Sequence, residues 1–285
     1  GNPLSTRSHM NFAIRALTKF EELTQVVLLQ QKIWGLNNNE GLYAPLLRTI
    51  GDSGGTVIGA FDAEKMIGFV VGFLGRHADG HIKLCSQTLG VLPEYRNQNV
   101  AAILKWAQRQ RMLPTEVDLI TWTYDPLEAP NARLNIRALG GLARTYQENI
   151  YGENFSTLTQ GLATDRFSLE WWIKSDRVEL RSKGGTVAPI GLEGPIVNRC
   201  TGSSTDRKIE ALDLKLETPT LRVEIPNDLQ SIKKTNLTLA KDWRLKTREI
   251  FGAYFARGYQ VVDFVRAGEV WGPARASHNW YVLTK

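Results

Sequence analysis

IKLCSQTLGVLPEYRNQNVAAILKWAQRQRM, residues Ile82–Met112, joins three local patterns in one stretch. Ile82–Val91 reads as an extended strand. Pro93-Glu94-Tyr95-Arg96-Asn97-Gln98-Asn99 reads as a tight polar turn. Val100–Met112 reads as a helix, because Val100, Ile103, Leu104 and Ala107 recur at helical spacing while Lys105, Gln108, Arg109 and Arg111 fall on other faces. A strand that passes through a tight turn into a helix makes an anion site. The first helical N–H groups have no partner within the helix, and the macrodipole places about half a positive charge there. A phosphate would meet donors at Gln98, Asn99, Val100 and Ala101, with the Arg96 guanidinium just before them. The bland reading of the same residues is a plain strand-to-helix connection.

Outward from this stretch, the composition is that of an ordinary globular chain. It has 285 residues, 42% hydrophobic and 22% charged, enough for one large domain or two small ones. Lys and Arg number 35 against 29 Asp and Glu, a net charge of +6 that suits a polyanionic ligand. The basic residues are dispersed, which argues against nucleic acid. Cys85 and Cys200 give no disulfide framework, and the four histidines have no metal-ligand spacing, so no metal is expected. No apolar run reaches membrane-spanning length. Gly1–Met10 reads as a cloning remnant, and the expected compartment is the cytoplasm.

In order, the expected elements are a strand at Phe12–Leu17, a helix at Glu21–Trp34 ended by Gly35-Leu36-Asn37-Asn38-Asn39, and a second helix at Leu42–Ile50. A hairpin follows at Thr56–Phe61 and Met66–Leu74, then the strand, turn and helix above, then a strand at Asp118–Tyr124. Ser175–Pro219 is rich in Gly, Ser, Thr and charge and reads as an irregular excursion. After it come a strand at Leu221–Ile225, a long helix at Thr238–Arg257 and a closing strand pair at Tyr259–Arg266 and Trp280–Thr284. The expected organisation is therefore 11–173 as a main domain, 174–219 as linker and 220–285 as a C-terminal β-α-β-β part.

The run Val91-x-Pro93-x-Tyr95-Arg96-Asn97-x-Asn99-Val100-Ala101 resembles the acyl-CoA signature of the GNAT (Gcn5-related) N-acyltransferases, Arg/Gln-x-x-Gly-x-Gly/Ala after a Val-x-Pro strand end. Arg96 and Ala101 match. Asn99 stands where the family has Gly, and Asn is the residue that next best tolerates a left-handed backbone. The β-α-α-β-β-β-α-β order is similar to that family's order. Asp125-Pro126-Leu127, Tyr151-Gly152 and Thr164-Asp165-Arg166-Phe167 resemble a branch of predicted acetyltransferases, so that the likeness spans Phe12–Ile173.

The resemblance implies an α/β (α+β) GNAT fold: a mixed central sheet with splayed strands, flanked by helices, here with a C-terminal extension. It implies acyl transfer from acyl-CoA to a primary amine of an amino acid, or of a Lys or ornithine side chain in a peptide, by direct attack. The pantetheine arm would lie along the strand, with backbone groups of Leu89 and Val91 binding it. Both residues can equally be plain sheet positions. Asn131 matches an Asn that helps hold CoA in relatives, or is a helix N-cap. The base is open. An amine of pKa about 10.4 must lose a proton, yet the strand offers Ser86, Gln87 and Thr88 where relatives carry Glu. Asp125 and Glu128 are the candidate bases, with turn former and solvated loop charge as their respective alternatives. The Tyr that serves as acid in relatives is replaced by Ile136. Trp122, Tyr124, Tyr151 and Asp165 are candidate substrate contacts, and the aromatics, with Trp171 and Trp172, either form core or line a channel for an acyl chain longer than acetyl. The alternative function is a non-catalytic acyl-CoA-binding module, and a homodimer is left open.

Overall fold

The computed structural model describes residues 11–36, 40–153, 155–156 and 161–285. The expected remnant at 1–10 and the turn residues 37–39 lie outside the described residues. The chain divides into two compact units at Ile120/Thr121.

The first unit contains β1 (Ala13–Ala16), α1 (Phe20–Trp34), α2 (Ala44–Asp52), β2 (Thr56–Asp62), β3 (Lys65–Arg76), β4 (Ile82–Val91), a 3-10 turn at Pro93–Tyr95 and α3 (Val100–Met112). These follow the expected order within a few residues at each boundary. The strands pair antiparallel in the order β1-β2-β3-β4. Side chains alternate across β3, as strand geometry requires. Phe69 meets Trp34 of α1 edge-on at 5.9 Å, whereas Gly68 and Gly72 face α3. The sheet is therefore covered by helices on both faces, and its core joins Leu23, Val26 and Leu47 to Phe69, Val71, Val100 and Leu104.

One irregularity marks β4. Thr88 pairs with Val71, but Ser86 pairs with Gly72, so Gln87 is an extra residue and forms a β-bulge. Gln87 is exposed, and Ser86, Thr88 and Leu89 beside it are only half-buried.

The second unit begins within β5 (Leu119–Tyr124) and continues through α4 (Ala129–Ala132), which runs directly into a π-helical stretch at Arg133–Ala138. There follow β6 (Leu142–Gln147), β7 (Arg166–Trp172), α5 (Asp176–Ser182), β8 (Asn198–Thr201), β9 (Lys208–Leu212), β10 (Thr220–Ile225), α6 (Leu229–Thr235), α7 (Leu237–Ala256), β11 (Gln260–Val265), the small hairpin β12 (Val270–Trp271) and β13 (Ala274–Arg275), and β14 (Asn279–Thr284). Its main sheet has the order β5-β7-β6-β11-β14-β10. The strands expected for a C-terminal part thus continue this sheet, with Val261 of β11 paired to Ala143 of β6. One core extends from Tyr124 and Phe167 to Phe251, Tyr281 and Leu283. The stretch expected as a linker holds the β8–β9 hairpin, and Val197 N–H donates to Arg222 O of β10 at 2.8 Å.

Candidate functional site

In the first unit the chain leaves β4 at Val91, and the Leu92 N–H ties it to Ile67 O at 2.8 Å. The turn that follows is braced from below. Tyr95 donates its hydroxyl to Asp62 Oδ2 at 2.6 Å, its ring meets Phe12 at 5.9 Å, and Lys65 pairs with Glu94 at 3.4 Å. Asn97 and Asn99 both adopt left-handed backbone, at φ 66 and φ 65. Two such residues in one turn reverse the chain tightly enough for α3 to start at Val100. Asn99 occupies the N-cap position, but no side chain caps the helix and its first turn holds no acidic residue. The first N–H groups of α3 therefore remain available to a ligand. Gln98 turns back to Glu94 O at 3.2 Å, and Arg96 is exposed and makes no ion pair among the described residues. Such a turn can bind a phosphate group. A cavity of about 510 Å³ in this unit lies at the other end of α3, beside Arg111, Met112 and Thr115.

Leu89 is half-buried opposite Val70, and Val91 is buried opposite Gly68. Lys105, Gln108 and Arg109, read from the sequence as lying on other faces of α3 than Val100 and Leu104, are not solvent-facing. All three are buried, at 4%, 0% and 2% exposure. Gln108 lies against bare backbone, because an added Cβ at Gly72 would stand 2.8 Å from Gln108 Nε2.

In the second unit the two candidate bases have different surroundings. Both carboxylate oxygens of Asp125 accept from Arg244, at 2.8 and 2.5 Å, and Oδ1 also accepts from Leu127 N–H at 2.9 Å. An Asp so held is a turn former and an ion-pair partner. Glu128 is half-buried and accepts one hydrogen bond, from Gln230 Nε2 at 2.6 Å. Burial pushes its pKa upward, against the pull of Gln230.

Asp165 is wholly buried. It accepts both arms of Arg248 at 2.8 Å, the Tyr146 hydroxyl at 2.6 Å and the Asn149 N–H at 2.9 Å. Burial raises its pKa, but these donors outweigh burial and hold it below the ordinary carboxylate value. These contacts occupy Asp165 within the fold. Tyr124 is also interior, with its hydroxyl 3.1 Å from that of Tyr281, and Trp122 packs edge-on against buried Trp171 at 5.6 Å. Tyr151 is exposed and stacks on Phe155 at 4.7 Å. Asn131 is exposed and sits inside α4, whose N-cap is Glu128, so the N-cap reading of Asn131 does not hold. Ile136 is fully buried in the π-helical stretch. Among the described residues no group of acids, histidines and cysteines could hold a metal, and no helix is long and apolar enough to cross a membrane.

No family model matches the chain, and no curated protein matches it. Solved structures do. The NatC complex bound to Gag peptide and CoA is 16% identical over 56% of this chain and 98% of its own, with a TM-score of 0.45. An acetyltransferase of the GNAT family from Streptococcus pneumoniae is 14% identical over 56% and 98%, with a TM-score of 0.45. The ribosomal-protein-S18-alanine N-acetyltransferase from Escherichia coli is 14% identical over 58% and 96%, with a TM-score of 0.45.

Proposed function

We propose that this chain is an acyl-CoA-dependent N-acyltransferase of the GNAT type, acting on a primary amine of an amino acid or of a Lys or ornithine side chain. The observation that carries the reading is the uncapped start of α3, reached through the left-handed pair Asn97 and Asn99 with the exposed Arg96 beside it. A pyrophosphate suits this turn, since it would take the first N–H groups and the guanidinium together. The β4 bulge and the half-exposed residues around it offer a surface along which an extended arm can lie. Of the two candidate bases, Glu128 has surroundings that favour proton uptake.

The test is CoA binding by calorimetry, with thiol release followed across acyl-CoAs of increasing length and a panel of amino acids and Lys-containing peptides. Arg96→Glu should weaken CoA binding by roughly 10- to 100-fold, the worth of a charged hydrogen bond. Chain-length-dependent thiol release establishes the transferase and names its donor. A second reading, a CoA-binding module without turnover, draws on the absence of a carboxylate at Ser86–Thr88 and on the burial of Ile136. Tight CoA binding without thiol release from any donor would select it.

A further inference from the structure

No step of the acyl transfer uses the cavity at the far end of α3. It holds about 510 Å³, within the roughly 300–1,000 Å³ that small-molecule sites occupy. It exists because β1 stops short of the end of β2. The two strands pair from Ala13↔Phe61 to Ala16↔Ile58, the Leu17 N–H reaches Val57 O at 2.8 Å, and the chain then leaves for α1. Before Val57 the outer edge of β2 has no strand beside it among the described residues. The last turns of α2 and α3 line the notch that is left.

The notch has an apolar floor. Leu17, Leu23, Leu47, Val57 and Met112 line it and all are buried. Three charged side chains stand around it. Arg48 and Asp52 of α2 pair with each other at 2.8 Å, whereas Arg111 of α3 is exposed and its guanidinium has no partner among the described residues. One positive charge is therefore in excess. Free carbonyls at helix ends would favour a cation instead. Here Thr49 O and Ile50 O already accept from the Ser53 and Gly55 N–H groups, and Met112 O accepts from Thr115 N–H and Oγ1. We propose that the notch binds a monocarboxylate with an apolar tail. Its carboxylate takes the Arg111 guanidinium, which can present two N–H donors at once, and its tail displaces water from the apolar floor. An amine would meet the excess charge of Arg111 with its own sign, and an inorganic anion would leave the floor unused.

This site is separate from the phosphate turn and does not rest on the transferase reading. Arg111 stands in the last turn of α3 and Val100 in its first. Eleven residues of helix, at 1.5 Å per residue, hold the two ends about 16 Å apart.

The experiment is an amide NMR titration of the full chain with octanoate, set beside octanol and octylamine, which carry the same tail without charge and with the opposite charge. Octanoate should saturate, with shifts concentrated at Gly51, Gly54, Gly55 and Thr115. It should bind roughly 10- to 100-fold more tightly than either analogue, the worth of a charged hydrogen bond. Arg111→Glu should lose the same factor, and saturating CoA should leave octanoate affinity unchanged. Arg111→Gln takes the place of the charge reversal should that variant fail to fold. Octanoate affinity that survives the change at Arg111, or octylamine that binds as tightly as octanoate, would overturn the inference. So would shifts at Gln98–Ala101 with displacement by CoA, which would place the tail in the acyl-CoA site. A chain that binds octanoate in the notch and never binds CoA would keep this site and remove the transferase.

Discussion

Asn99 holds φ 65 and ψ 15 at the start of α3, where the family pattern has Gly. A β-branched residue there would strain the turn, because the left-handed region brings Cβ against the carbonyl and costs roughly 1–2 kcal/mol. Asn99→Val should lose about that much stability in urea titrations, and CoA affinity with it. Asn99→Gly should leave both close to wild type. This turn was legible in the sequence because its chemistry is local: Pro93, Arg96, Asn97 and Asn99 lie within seven positions. Lys105 was not legible, since its burial depends on Thr56 and Gly72, far away in the chain. Its titration bears on stability. The folded pKa lies below the ordinary value of 10.5, so between the two the unfolded chain binds the extra proton. Stability therefore rises with pH across that window. Chemical denaturation from pH 7 to 10 should show the wild type gaining on Lys105→Met, and parallel curves would contradict a buried, depressed lysine.

At the scale of the element, α3 sits close to β3 because β3 offers glycine where the helix crosses. A Cβ at Gly68 would stand 3.0 Å from Gly90 O and 3.3 Å from Leu104 Cδ1. The first of these is backbone and cannot swing aside. Gly68→Ala should therefore strain the β3–β4 pairing and press on Leu104 of α3, at a cost of about 1–3 kcal/mol, the range for overpacking a core. Because the phosphate turn opens that helix, CoA affinity should fall together with the urea midpoint; loss of stability with full affinity would separate the two. The elements of the first unit were readable from periodicity and turn residues. In the second unit RFSLEWW, Arg166–Trp172, alternates in burial as a half-buried strand does, a pattern present in the sequence itself. Leu142–Gln147 gives no such signal, since Arg144, Thr145 and Gln147 interrupt it, and only its pairing with β7 and β11 makes it a strand. Nor could the β4 bulge be read, because a bulge is defined by the partner strand's register.

For the second unit as a body, the boundary expected after Ile173 cuts through a single core. Phe167 of β7 meets Phe251 of α7 at 4.7 Å and Tyr281 of β14 at 5.4 Å, all three fully buried. Asp165, wholly buried, is neutralised by Arg248 of α7, and Asp125 by Arg244 of the same helix. Removing one partner of a buried ion pair costs about 3–5 kcal/mol, and each large apolar side chain returned to water costs about 1.5–3 kcal/mol more. A chain ending at Ile173 loses α7, β11 and β14 together. Those losses exceed the roughly 5–15 kcal/mol by which a domain is stable. Its product should elute as aggregate in size exclusion and lack near-ultraviolet circular dichroism, whereas a monodisperse, folded fragment would show that the 11–173 segment stands alone. Acid separates the ionic share from the apolar one. The folded pKa of Asp165 is depressed, so its contribution is complete above the ordinary value of 3.8 and is lost as pH falls through the folded value. The full-length Asp165→Asn variant should therefore be less stable than wild type at pH 7, and the gap should close on acidification below pH 4. A gap that stayed constant would assign the loss to packing around Phe167 instead of to the pair with Arg248.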